Sequence, residues 1–399
     1  MKSIRYIFGI LVFCYSSIGS AQWTQEKNYP GGSTDAVIAF AIGDTIYIGG
    51  GSAGSTAFYK YDPTAATWTR KGNISQRAFG VSFTIGSKGY AALGQSDPTN
   101  TGQASVTNDL WEYDPTSDQW TKKADFPGMA RDAAFAFVIG NRAYVGGGTD
   151  TGFNVYSDFY SYDPSSDTWD TLGPLPDYLY FNSTFVIGTY GYLATGVARS
   201  NEISSVWQYD PSSDSWSQMS DFPGAPRESA VAFALDSTGY LGLGQSAYTN
   251  VFSDFYSYDP SADEWTPVTS FPATHGRGWA AAVATSTAAF VGLGTYFADS
   301  NLYANNDFWM FAPSAGVATT PLASDPNVYP NPAMDFVTLS LPQSVASAEV
   351  QVQNSIGATC LTAEISSNGR LDLSSLPAGM YNLEISSGEY RSSERVVKE

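Results

Sequence analysis

The side chains with chemical potential in this sequence gather in short clusters flanking apolar segments. Arg77, Arg131, Arg227 and Arg277 each stand thirteen residues ahead of an aromatic residue, and Asp35, Asp132 and Glu228 lie close to the same position in their own segments. Rings accompany them: Asp177 precedes Tyr178, Tyr180 and Phe181, His275 and Arg277 precede Trp279, and Tyr248, Tyr296, Phe297 and Tyr303 follow other apolar segments. Aromatic faces suit stacking on sugars, while guanidinium and carboxylate groups bond directionally to hydroxyls, so the set points to glycan binding. The competing reading gives the rings to loop packing and the arginines to tying neighbouring segments together through carbonyls and acids. Nucleophilic catalysis is poorly served. A Ser-His-Asp triad would have to use His275, the one histidine, and no G-x-S-x-G context accompanies it.

Positioning these clusters requires a scaffold, and the scaffold is a repeat. Tyr61-Asp62-Pro63 with Trp68 recurs as Tyr113-Asp114-Pro115 with Trp120 and as Tyr162-Asp163-Pro164 with Trp169. Tyr209-Asp210-Pro211 with Trp216 and Tyr258-Asp259-Pro260 with Trp265 follow, and Phe311-Ala312-Pro313 is a degenerate sixth copy. Successive anchors lie 52, 49, 47, 49 and 53 residues apart. Each unit reads as four short strands, shown by the third: Ala134 to Ile139 alternates, a turn at Gly140-Asn141 follows, and Ala143-Tyr144-Val145 ends in three glycines. Asp158 to Tyr162 is the third strand, Asp163-Pro164 opens a turn, and the fourth strand centres on Trp169. The sixth unit lacks its Trp strand. Trp23-Thr24 resembles the start of one with no strands before it, so residues 22 to 26 are expected to complete the last unit beside Phe308 to Phe311.

These features resemble the kelch-repeat family over residues 22 to 313. The resemblance rests on the Gly-rich end of the second strand, its central Tyr and the Trp at fixed distance, with the repeated arginine before the first strand. Ser33 and Leu179 occupy that arginine position in the first and fourth units. It implies a six-bladed β-propeller whose loops before strand one and after strand two share one face, the usual ligand site of such a ring. Copper chemistry of the galactose-oxidase kind needs two histidines and a cysteine-linked tyrosine in the propeller, which this sequence lacks, and sialidase Asp-boxes are also missing. N-acetylneuraminate epimerases are six-bladed kelch proteins too, and Glu228 with Arg227 is an acid/base pair that ring opening could use. Three functions are therefore carried forward: a non-catalytic glycan- or protein-binding propeller, a sugar epimerase, and a structural surface component. No metal or other cofactor is expected.

Composition sets the surroundings. A formal charge of −19 repels phosphate backbones, so nucleic acid is not an expected partner. Lys2 and Arg5, an apolar run from Tyr6 to Tyr15 and small residues up to Ala21 read as a signal peptide removed before Gln22, too short for a membrane span. Its removal takes Cys14 and leaves Cys360 alone, so the mature chain is expected to hold no internal disulfide. Residues 314 to 327 form a linker rich in Ala, Thr, Ser and Pro. The alternating strands Phe336 to Leu341 and Glu349 to Val352, with turns at Gly357 and Gly369, suggest a small immunoglobulin-like sandwich over residues 328 to 399. Tyr329-Pro330-Asn331-Pro332-Ala333, the run Leu371 to Tyr381 and the closing Val396-Val397-Lys398 resemble the C-terminal sorting domain of type IX secretion cargo. That resemblance implies the type IX machinery as a partner, and a secreted or cell-surface location.

Overall fold

The computed structural model describes residues 22–96, 105–247, 249–299, 301–313, 327–329, 332–341, 347–354, 359–366, 369–387 and 390–399. They divide into two units, split between Ser314 and Ala315. The first is a ring of six four-stranded antiparallel sheets. Blade three shows the pattern. Its strands Phe135–Ile139, Arg142–Gly146, Phe159–Asp163 and Thr168–Thr171 pair in chain order from the centre outward, with Tyr162 opposite Trp169. The first strands of all six blades contact one another in a closed cycle.

The repeated residues hold both the turns and the neighbours. Asp62, Asp114, Asp163, Asp210 and Asp259 each accept the amide two residues on at 2.8–3.0 Å, which folds the chain back after the third strand. Tyr113, Tyr162, Tyr209 and Tyr258 are buried and donate at 2.7–2.9 Å to Asp118, Asp167, Asp214 and Asp263, five residues ahead. All four carboxylates also accept a backbone amide of the preceding blade at 2.8–3.2 Å: Gly72 to Asp118, Ala124 to Asp167, Gly173 to Asp214 and Ser220 to Asp263. Trp169 and Trp265 reach the same preceding blades through their indole N–H groups, to the carbonyls of Ala124 and Ser220 at 3.0 and 3.1 Å. The Tyr-Asp-Pro-x-x-Asp-x-Trp phrase is thus a clamp between blades as well as a turn. Blade one has Ala66 where blades two to five carry the second Asp, and Tyr61 donates to Glu26 instead.

Blade six takes its fourth strand from the other end of the chain. Gln22–Gln25 pairs antiparallel with Phe308–Ala312, bringing Trp23 opposite Phe311. The indole packs against Phe255, Phe271 and Phe311 at centroid distances of 5.2, 5.1 and 4.9 Å and donates to the Thr269 carbonyl at 3.1 Å.

The second unit is also all β. One sheet holds Asn327–Tyr329, Phe336–Ser340 and Gly369–Asp372; the other holds Ser347–Gln353, Thr359–Ser366, Gly379–Ser387 and Tyr390–Lys398. Inward residues of both, such as Val337, Leu339, Val350, Leu371 and Leu383, share one core. Gly369, read from sequence as a turn, opens a strand instead. The expected turn at Gly357 lies outside the described residues, as do the signal segment and most of the linker. No described helix is long and apolar enough to cross a membrane.

Trp23→Ala is expected to destabilise the propeller by about 3 kcal/mol, because it empties an aromatic pocket and removes a ring-closing contact. Urea unfolding of the purified protein checks this.

Candidate functional site

One face of the ring collects the loops that enter each first strand and those that leave each second strand. Glycines knit these loops into a circle. Gly51, Gly94, Gly148, Gly196, Gly244 and Gly294, each just past a second strand, donate at 2.7–3.0 Å to the carbonyls of Arg77, Arg131, Leu179, Arg227, Arg277 and Thr34 on the next blade. All six have positive φ, and a Cβ on Gly94 would stand 2.6 Å from the Ala78 carbonyl oxygen, so both conformation and space demand glycine here. This contact also corrects the alignment of blade one, where Thr34 rather than Ser33 occupies the arginine position.

Two residues further along, a second circle closes. The amides of Ala36, Phe79, Ala133, Phe181, Ser229 and Trp279 each donate to the corresponding carbonyl of a neighbouring blade, Ala36 to Trp279, Phe79 to Ala36 and onward round the ring, at 2.9–3.3 Å. All six residues hold left-handed φ of 50–54°, which a side chain tolerates only when its surroundings enforce it. Side-chain size alternates between small and aromatic. Phe79, Phe181 and Trp279 meet with centroids 5.8, 5.9 and 6.4 Å apart and form an aromatic plug within the circle.

The residue before each member alternates in step. Asp35, Asp132 and Glu228 precede the small residues, whereas Ala78, Tyr180 and Gly278 precede the aromatic ones. The three acids are buried, and none makes an ion pair among the described residues. Their polar contacts are neutral: Ser52 Oγ donates to Asp35, Gln95 Nε2 to Asp132 at 2.6 Å and Gln245 Nε2 to Glu228 at 3.1 Å. Burial pushes all three carboxyls above their ordinary values despite those hydrogen bonds.

The arginines are buried and each is held by an acid, although Arg77 Nε and Arg277 Nε keep no hydrogen-bond partner. Arg131 and Arg227 each form a two-pronged ion pair, to Asp158 at 2.5 and 2.8 Å and to Asp254 at 2.6 and 2.9 Å. Arg277 holds Asp307 at 2.5 and 3.1 Å, and Arg77 holds Asp109 at 2.8 Å. The same guanidinium groups bond the carbonyls of Leu93, Gly147, Leu243 and Leu293 at the ends of the second strands. Burial works against the ionised form of Asp109, yet Arg77 holds its carboxyl below the ordinary range. Where the arginine is missing its partner is missing too: Thr34 goes with Ala57 in blade one, and Leu179 with Ser205 in blade four. The four guanidinium groups therefore staple entry loop, second strand and third strand of their own blade, and they are not presented to a ligand.

The remaining candidates occupy the loops above. Tyr178 is exposed, Tyr180 packs on Phe181 at 5.6 Å, and Arg199 pairs with Asp177 at 3.1 Å. His275 stacks on Tyr296, and Phe297 is exposed on the hairpin formed by Thr295–Ala298 and Asn301–Ala304. Tyr248 lies outside the described residues. Ala36, Phe79, Ala133 and Ser229 complete the central circle and were not among the candidates; their signal is position alone, two residues after the arginine site. Among the described residues no group of His, Cys, Asp and Glu is placed to hold a metal ion.

A closed ring of four-stranded blades, locked by glycine amides and by an arginine before each of four first strands, defines the class as a β-propeller. The family model described as the KLHDC2/KLHL20/DRC7 Kelch-repeats domain matches residues 84–294, and the chain belongs to the kelch-repeat family. Residues 327–399 match the secretion system C-terminal sorting domain. N-acetylneuraminate epimerase from Escherichia coli (strain K12) is 35% identical over 118 residues, covering 28% of this chain and 32% of that protein. The chain thus aligns with about a third of the length of these epimerases, and the Shigella flexneri protein of the same name gives the same figures. Kelch-like protein 36 from Bos taurus is 27% identical over 145 residues, covering 34% of this chain and 22% of that protein. The solved structure entitled Structure of YjhT shares the fold, with a TM-score of 0.62 at 18% identity, covering 71% of this chain and 96% of that one.

Arg131→Met leaves Asp158 without its partner and is expected to cost about 3 kcal/mol in urea unfolding, with much of the loss recovered in Arg131→Met/Asp158→Asn. A loss under about 1 kcal/mol, the value of a surface pair, would contradict the stapling role. The acids behave oppositely. Their carboxyls bind protons more tightly in the folded chain, so ionisation opposes folding as pH rises from the ordinary carboxylate value through the raised one. Asp132→Asn and Glu228→Gln are each expected to melt above the parent protein at about pH 7, with the gap closing below about pH 4. Thermal melts across that range check the sign.

Proposed function

We propose that this chain is an exported kelch propeller that binds a glycan on the loop face without chemically altering it. The observation that carries the reading is the distribution of exposed apolar side chains. Among the described residues of the propeller, Met129, Phe153, Tyr178, Phe297, Leu302 and Tyr303 all stand exposed on the loop face, whereas Tyr190 alone does so among the turns opposite. Rings on a polar, loop-built surface suit sugar faces, and Phe153, 87% exposed, has no packing reason to be apolar. The sorting domain at residues 327–399 supports handling by type IX secretion, and an N-terminal signal peptide would supply the preceding export step. A glycan array probed with the purified protein tests the reading. Binding that is lost in Phe153→Ala and in Tyr178→Ala supports it, while an array without any bound glycan removes it.

A second reading, sugar epimerisation, draws on the 35% identity to N-acetylneuraminate epimerase and on the buried carboxyls of Asp35, Asp132 and Glu228, held partly protonated at higher pH than usual. Against it stands the occupation of Arg227 by Asp254, which removes the partner first suggested for Glu228. Adding the protein to a single anomer of N-acetylneuraminic acid and following equilibration by NMR decides: equilibration no faster than in buffer excludes this activity.

Deleting residues 327–399 is expected to leave the propeller inside the producing cell, and immunoblots of cells and medium check this.

A further inference from the structure

Beside the blade-six hairpin lies a cleft of about 370 Å³, near the lower end of the roughly 300–1,000 Å³ typical of small-molecule sites. Its aromatic lining is His275, Tyr296 and Trp309, and Tyr303 backs Tyr296 from outside the lining. The imidazole of His275 lies 4.3 Å from the Tyr296 ring, with 12° between planes, and Tyr296 lies 5.3 Å from Tyr303, with 18° between planes. Tyr296 and Tyr303 are cross-strand partners in the hairpin, so the sheet fixes the spacing of their rings. His275 comes from the loop that enters the blade and is exposed.

The polar wall is equally distinct. Gln25 arrives on the closing strand opposite Trp309, Thr274 precedes His275, and Asn305 follows the hairpin with its amide nitrogen fixed on the Gly294 carbonyl at 3.0 Å. The one acid in the lining, Asp307, is already bound by Arg277 and by the Trp309 indole N–H at 2.8 Å. Cation and anion are paired, with Arg277 Nε alone left without a hydrogen bond, so mostly neutral donors and acceptors stand beside the rings. That chemistry matches a ligand with one C–H face and a rim of hydroxyl or amide groups, and it offers an ammonium group no free acid.

We propose that this cleft is a subsite for one neutral pyranose ring, seated against His275 and Tyr296 and bonded through Gln25, Thr274 and Asn305. The proposal rests on the glycan-binding reading and adds to it a location and a charge class. Because Gln25 belongs to the closing strand and Asn305 to the end of the ring, the subsite exists only once the chain ends have met.

The chain's single histidine makes the test direct. The full-length secreted protein, isotopically labelled at histidine, is titrated with methyl glycosides of neutral hexoses and N-acetylhexosamines and with their disaccharides, while calorimetry measures affinity. A sugar that binds is expected to shift the imidazole resonances of His275, and Tyr296→Ala and His275→Ala are each expected to weaken it about tenfold. Tyr190→Ala, on the opposite face, is expected to leave affinity unchanged. A sugar that binds by calorimetry without moving the His275 signals, and with equal affinity for His275→Ala, overturns the subsite while glycan binding stands. Neutral sugars that fail to bind where an acidic glycan does overturn the neutral class, and failure of every glycan overturns both readings.

Discussion

Six backbone amides, hydrogen-bonded one to the next around the axis, are the constraint to which the rest of the propeller conforms. Ala36, Phe79, Ala133, Phe181, Ser229 and Trp279 can form that circle only with left-handed backbones, a conformation that costs about 1 kcal/mol or more for each non-glycine residue. Neighbouring contacts must outweigh this. The glycine amides one step above the circle, the arginine staples and the tyrosine–aspartate clamps at the rim all fix the same entry loops from different sides. With three rings already within 5.8–6.4 Å of one another, the alternate positions must be small, and Ala36, Ala133 and Ser229 meet that requirement.

The same alternation produces the chemistry of the face. Acids fall only on blades whose circle residue is small, so negative charge and aromatic surface divide the centre in a three-fold pattern within a six-fold ring. A plugged centre leaves the loops above it, and chiefly the long hairpin of blade six, as the accessible surface. The proposed glycan surface is that hairpin and its neighbours, while the buried arginines near the axis keep the loops in register.

Fold was legible in the sequence because its determinants are local and repeated. Tyr162, Asp163 and Trp169 sit within one turn and two short strands, so their spacing is the geometry itself. The lone Trp23 carried the same information at long range, since an indole without its own blade needs one elsewhere. The site was less legible. Arg131 looks the same in sequence whether it faces a ligand or Asp158, and only the matched loss of arginine and aspartate in blades one and four hints at the answer. The amide circle left almost no trace, because backbone groups make it and residues as unlike as Ala133 and Trp279 occupy it. The slip between Ser33 and Thr34 has the same cause: with no arginine to mark the register, only the hydrogen bond to Gly294 defines it.

The closing strand also dictates an order of events. Trp23 donates to a carbonyl 246 positions away, a contact whose entropic cost falls late in folding. A chain emerging with its N-terminus first exposes Gln22–Gln25 long before Phe308–Ala312 exists to receive it. Through that interval blade six has no outer edge, and the propeller is an open arc. Clasping the two ends is therefore a timer as well as a seam: it sets when the ring becomes a rigid body and, with Gln25 in place, when its blade-six cleft becomes complete.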